Sequence, residues 1–315
     1  MAVFEWPAMK LYPWTIGLIF VVYGCASPPS VVRDEHIVYY GFTTVDCLWD
    51  DPHDMFSKTN YVDEVAGFTN LAQLCVFSEQ DSLETRLNAF HTFGIKALLS
   101  VEPLLFDRQP DSSSPSGERI TLSSEAQARW ARFIEINEPW LTSDYVAAIY
   151  LADEPVWNSV SDVEFAQAIG IVKASLPNLP TAAIEAHPVL EDLVVPESLD
   201  WIGFDRYGHR DPSNDTLWLA DLETLKAKLN PKQKLVIVAE TQWLPQYEDA
   251  GMSAADMARV VENYLNVARA NPETVALIGY TWPGGLDDPG QLGARDLPAS
   301  VLETLKSIGH RILKP

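Results

Sequence analysis

At 315 residues, with 47% hydrophobic and 21% charged side chains, the chain is long enough for one large domain and too apolar to be disordered. Its 44 acidic residues against 22 basic ones give a formal charge of -22, which argues against nucleic acid or an anionic membrane surface as a partner. A neutral ligand is easier to accept, and the simplest reading of the charge is a solvated acidic surface.

Residues 1–24 read as an export signal: Lys10 precedes an apolar run over 14–23 that is too short to span a bilayer and sits before small residues. Met9-Lys10 makes a more usual leader start than Met1, because Glu5 lies upstream. Val21-Val22-Tyr23-Gly24-Cys25-Ala26-Ser27 resembles a bacterial lipoprotein box, although Tyr23 is bulkier than that pattern prefers. The resemblance implies that Cys25 is lipidated and becomes the first mature residue, with 25–35 as a linker and the lipid as the only membrane contact. A retained N-terminal anchor helix is the other reading, and both place the following domain outside the cytoplasm. Cys47 and Cys75 then remain, near the expected ends of the first two strands, either as a disulfide or as two buried thiols.

From residue 36 to 315, short apolar runs alternate with helical patterns, which predicts parallel strands joined by crossover helices. The strands are expected over 37–43, 71–77, 96–101, 147–151, 181–184, 201–204, 235–239 and 276–280. Each is nearly continuously apolar, as a strand buried on both faces must be. Helices are expected over 82–93, 125–138, 162–175, 216–229, 254–270 and 299–312, while the fifth-to-sixth link around 190–194 holds at most one turn. Residues 107–122 read as a long irregular loop rich in Ser and Pro. A doubly wound sheet would place a glycine-rich loop after its first strand, and Thr43-Thr44-Val45-Asp46 has none. The expected fold is therefore a single (β/α)8, or TIM, barrel.

In such barrels the working residues follow the C-terminal ends of the strands. Here those positions hold Glu102, then Asp153 and Glu154, Glu185 and His187, Asp205, Arg206 and Tyr207, Glu240 and Trp243, and Trp282. Hydrolysis of a glycosidic bond needs one carboxyl to protonate the leaving oxygen and another to attack carbon or activate water. Glu154 after the fourth strand and Glu240 after the seventh can supply that pair, since three units of roughly 30 residues carry the chain to the far side of the barrel.

Ala148-Ile149-Tyr150-Leu151-Ala152-Asp153-Glu154-Pro155 and Leu235-Val236-Ile237-Val238-Ala239-Glu240-Thr241 resemble the signature strands of the large clan of retaining barrel glycosidases. That resemblance implies Glu154 as acid/base and Glu240 as nucleophile, Tyr207 as a hydrogen-bond partner of the nucleophile, and Trp282 as the floor of a sugar subsite. Asp153 stands where the clan usually has asparagine, and Phe77-Ser78-Glu79 stands near its usual strand-two arginine. Asp153 can still accept from a sugar hydroxyl, and its charge would raise the pKa of Glu154, which suits a general acid. Asn137-Glu138-Pro139 has the clan's more familiar letters, but it ends a helix and should lie at the opposite end of the barrel.

Trp49, Trp157, Trp243, Tyr247 and Trp282 fall in loops after strands, where they can stack on sugars or pack the rim. Trp130 and Trp218 on helices and Trp201 at a strand start read as packing residues. Asp153, Tyr207, Trp282, Trp243, Glu102 and Asp205 are the expected substrate-binding set around Glu154 and Glu240. A carbohydrate substrate, a monomeric state, and no cofactor or resident metal are expected. Two rivals stay open. Glu102, Glu185, His187, Asp205 and Glu240 could converge on divalent ions, though the histidine supply is poor; and an inactive, sugar-binding surface lipoprotein would show the same aromatics.

Overall fold

The alternation of apolar runs and helices is realised as eight parallel strands that close on themselves. The computed structural model describes residues 36–313. The expected signal segment, Cys25 and the 25–35 linker lie outside the described residues. The barrel strands are β1 (Tyr39–Asp46), β2 (Leu71–Cys75), β3 (Lys96–Ser100), β4 (Val146–Asp153), β5 (Thr181–Ala186), β6 (Trp201–Asp205), β7 (Lys234–Glu240) and β8 (Thr274–Tyr280). Each pairs in parallel with its neighbour in sequence, and β8 returns to β1 through Tyr39↔Ala276 and Phe42↔Gly279. This is the singly wound (β/α)8 order expected from the sequence.

Both faces of the sheet are buried, and the two-residue period divides the strand residues between two cores. Leu71, Leu98, Ala148, Tyr150, Ile184, Trp201, Val236, Val238 and Ile278 pack together as one cluster, the barrel interior. Their sequence neighbours Ala72, Leu99, Ile149, Ala183, Ile202, Ile237 and Leu277 belong to the larger core shared with the surrounding helices. Two of those helices start where a side chain satisfies the free N–H groups of the first turn. Ser161 and Glu164 form a capping box on Asp162–Ser175, and Asp215 accepts from Leu217 and Trp218 at the head of Thr216–Lys226. No helix among the described residues is long and apolar enough to cross a membrane.

One local expectation is revised and one open alternative is decided. Residues 107–122 are not irregular: Phe106–Pro110 and Glu118–Leu122 form an antiparallel hairpin, with Arg108 opposite Ile120. Cys47 and Cys75 are joined as a disulfide that links the end of β1 to the end of β2. The fifth-to-sixth link holds one short turn, His187–Val189, as expected. Asn137 is fully buried at the end of helix Ala126–Asn137, accepting from Leu83 N–H at 2.8 Å and donating to Asp81 O at 2.8 Å and Phe133 O at 3.0 Å. It is a packing and hydrogen-bonding joint, and Glu138 beside it is exposed on the approach to β4.

Candidate active site

At the C-terminal mouth of the barrel lies a cleft of about 460 Å³. Asp153 and Glu154 from β4, Asp205 and Tyr207 from β6, and Tyr280 and Asp287 from β8 and its loop form its walls, with Tyr150 rising from the barrel interior. Trp49, Phe77 and the Cys47–Cys75 disulfide line the same cleft.

The register of β4 against β5 breaks between Tyr150 and Asp153, and the chain then turns sharply at Glu154, whose φ is +48°. A left-handed backbone costs a non-glycine residue of order 1 kcal/mol and persists where surrounding bonds enforce it. Here Glu154 N–H donates to Ile184 O at 2.8 Å, and Asn158 donates to the carbonyls of Asp153 and Glu154 at 3.0 Å each. Glu185, fully buried at the end of β5, accepts from Val156, Trp157 and Ala186 N–H groups at 2.8, 3.2 and 2.9 Å. Glu102 accepts the Asp153 N–H at 3.1 Å and Arg108 of the hairpin at 2.8 Å. The turn bearing Glu154 is thus fixed from both sides.

Crowding of carboxyls in this enclosed space favours their protonated forms. Burial, followed by the charge of Asp153, pushes Glu154 up to about 7. Asp153 is exposed on the cleft side; loss of hydration among the neighbouring groups and the charge of Glu102 push it up to about 6, against the stabilising donation from Tyr150 Oη. Asp205 is raised well above the usual carboxylate range by burial and by the neighbouring Glu154 charge, and its carboxyl is hydrogen-bonded to that of Glu154. Each of Glu154 and Asp205 therefore raises the other's affinity for a proton, and the two titrate as a pair.

Glu240 occupies a different environment. It ends β7 directly across the ladder from Tyr280, is fully buried, and is not among the residues lining the cleft. Tyr247 Oη donates to Oε1, and Gly208 N–H donates to Oε2 at 2.9 Å from a loop position with φ of +83°, where glycine is strongly favoured. Burial pushes Glu240 up to about 7, with both bonds acting in the opposite direction.

No protein-family profile matches this sequence, and no curated protein sequence is significantly similar to it. Solved structures are similar in fold. A GH128 subgroup II endo-β-1,3-glucanase from Sorangium cellulosum superimposes with a TM-score of 0.52 at 14% identity, covering 86% of this chain and 98% of its own. A GH113 β-1,4-mannanase gives 0.54 at 12%, covering 87% and 99%. An intracellular xylanase from Thermoanaerobacterium saccharolyticum gives 0.52 at 9%, covering 88% and 99%. At these identities the likeness is one of fold.

The site residues expected from the sequence divide accordingly. Asp153, Glu154, Asp205 and Tyr207 meet in the cleft, with Glu102 just behind Asp153. Tyr207 does not bond Glu240; its hydroxyl faces Asp205 at 3.4 Å and its ring stacks on Tyr280 at 5.3 Å, so the phenol on Glu240 belongs to Tyr247. Trp282 is 3% exposed, packed on Phe42 and Phe68, with its indole N–H on Glu64 at 2.8 Å, and it is no part of the cleft floor. Trp243 is held on the rim by Met252 O at 3.1 Å.

Of the proposed metal ligands, Glu185 is committed to backbone N–H groups and His187 lies 3.7 Å from Asp221. A different trio, Asp51, His53 and Asp296, brings its donor atoms within 4.8 Å of one another, but Arg295 already lies 3.5 Å from Asp51 and supplies positive charge there. Asp287 and Tyr280, hydrogen-bonded at 3.0 Å, and the exposed ring of Phe77 are cleft residues that strand-end reading passed over.

Proposed function

We propose that this protein is a glycoside hydrolase that cleaves an oligo- or polysaccharide with retention, using Glu154 as acid/base and Glu240 as nucleophile. The observation that carries the reading is Glu154 itself: a carboxyl held at the mouth of a (β/α)8 barrel, pushed up to about 7, in a cleft walled by tyrosines. A group poised near neutrality can donate its proton to the leaving oxygen and take one back from water in the second step. Glu240 would attack the anomeric carbon in the first step, and Tyr247 and Gly208 are placed to stabilise its anionic form. That the structural neighbours include a glucanase, a mannanase and a xylanase favours a carbohydrate substrate.

A second reading pairs Glu154 with Asp205, because Asp205 lines the cleft and Glu240 does not. Alanine variants of the three residues, assayed on aryl glycosides with added azide, decide between them. The nucleophile variant should yield a glycosyl azide of inverted configuration, and the acid/base variant one of retained configuration. Rescue with inversion at Asp205 instead of Glu240 would reassign the nucleophile.

Export as a Cys25-linked lipoprotein acting as a monomer is part of the same proposal. The Cys47–Cys75 disulfide favours an oxidising compartment. Incorporation of a labelled fatty acid that is lost in Cys25→Ala tests the anchor, and light scattering tests the monomer.

A further inference from the structure

The cleft walls carry the carboxyls of Asp153, Glu154, Asp205 and Asp287 and no Lys, Arg or His side chain. Arg108, whose positive field reaches Asp153 and Glu154, has its guanidinium engaged by Glu102 at 2.8 Å and by Glu118. The phenol groups of the walls are already used as donors within the protein: Tyr150 donates to Asp153, Tyr207 to Asp205 at 3.4 Å, and Tyr280 to Asp287 at 3.0 Å. The walls therefore offer acceptors and negative charge in excess of donors. A sugar hydroxyl both donates and accepts, so this lining leaves part of its capacity unmet, whereas an ammonium group only donates.

We propose that the cleft recognises a sugar bearing a protonated amine, an oligo- or polysaccharide of hexosamine units with free amino groups, whose ammonium is received by Asp153, Asp205 and Asp287. This rests on the glycosidase reading above and names its substrate class. Tyr207 and Tyr280 present stacked rings beside the carboxyls, a surface for the apolar face of the sugar. An entering ammonium would also take over the charge neutralisation that protons provide in the empty cleft.

Monosaccharides that differ only at C2 test this independently of linkage. Glucosamine and galactosamine are titrated into the wild-type protein near pH 6 beside glucose, galactose and the two N-acetylated forms. The free amines should bind at least about tenfold more tightly at about 20 mM salt, and the advantage should shrink to a few-fold at about 0.5 M, where screening is far stronger. Asp287→Asn, which keeps an acceptor for Tyr280 but loses the charge, should lower the amine preference and weaken its dependence on salt.

Equal binding of amine and hydroxyl sugars, a preference for the N-acetylated forms, or no binding of the amines would overturn the proposal. Turnover separates it from the reading it rests on. Cleavage of a neutral oligosaccharide without amine preference removes the substrate class and keeps the hydrolase. Amine-selective binding without cleavage of any glucosamine or galactosamine oligomer removes the hydrolase and keeps the recognition.

Discussion

Glu185 accepts the backbone N–H groups of Val156 and Trp157 at 2.8 and 3.2 Å, so the end of β5 holds the turn that presents Glu154. The carboxyl makes no use of the cleft; it acts on the chemistry through the backbone beside it. Glu185→Ala takes the acceptor from three backbone donors, those of Val156, Trp157 and Ala186, a cost of about 1–3 kcal/mol for each that stays buried and unpaired. The expected outcome is a lower midpoint in urea and a fall in kcat that exceeds any change in KM. Wild-type kcat in a Glu185→Ala protein that is still folded would show that the turn does not depend on this clamp.

Raised carboxyls set how stability depends on pH. Glu154, Glu185 and Glu240 are each pushed from an ordinary 4.5 up to about 7, so between those values the folded chain binds more protons than the unfolded one. Stability contributed by these groups is fully present below about 4.5 and is lost as pH rises through about 7. Carboxyls lowered by partners, such as Glu64 beside Arg295, act oppositely, and only as pH falls below their ordinary range. The thermal midpoint should therefore decline between pH 5 and pH 7.5, and Glu185→Gln should flatten that decline. Calorimetry across the interval checks both, and a midpoint that climbs with pH would contradict them.

The fold was readable because each barrel strand is buried on both faces and so stands out as an unbroken apolar run. The hairpin over 106–122 left no such mark: Asp107, Arg108, Gln109 and Pro110 are all exposed, only Phe106 and Ile120 are buried in the core, and the ladder with salt bridges from Arg108 holds the rest. Position after a strand located Asp153, Glu154, Asp205 and Tyr207, but it carries no information on direction. Trp282 follows β8 as expected and yet points into the packing around Phe42, because its orientation is set by the turn beyond Tyr280. Asp287 reaches the cleft by a loop that folds back on Tyr280, a tertiary contact with no local signature.

Those directions give opposite outcomes for two aromatic substitutions. Trp282→Phe leaves a buried void and removes one of two donors to Glu64 Oε2, which keeps Arg295 Nε, so it should destabilise the fold by about 1–3 kcal/mol with little change in KM. Phe77→Ala removes an exposed ring from the cleft wall and should raise KM several-fold at nearly unchanged stability. Denaturation and steady-state kinetics on the pair distinguish packing from sugar contact.

The disulfide joins Cys47 and Cys75 across 28 residues, so its loss frees a loop worth about 3–4 kcal/mol in the chain-entropy account. The paired Cys47→Ala, Cys75→Ala variant should lose that stability in urea. It should also bind substrate more weakly, because both cysteines line the cleft. Reduction of the wild type should reproduce the shift, and reduction should leave the variant unchanged.

Tyr247 is the phenol on Glu240, and its donation works against the burial that raises that carboxyl. Removing it in Tyr247→Phe should push Glu240 higher still. If Glu240 acts as an ionised nucleophile, the acid limb of kcat/KM, set by its deprotonation, moves to higher pH, and the rate at neutrality falls. The basic limb, set by loss of the Glu154 proton, should stay in place, because no bond from Tyr247 reaches that residue. Tyr207→Phe provides the contrast: its hydroxyl faces Asp205, whose charge is coupled to that of Glu154, so its effect should fall on the basic limb. A profile in which both variants shift the same limb would show that the two carboxyls do not titrate in the separate surroundings described above.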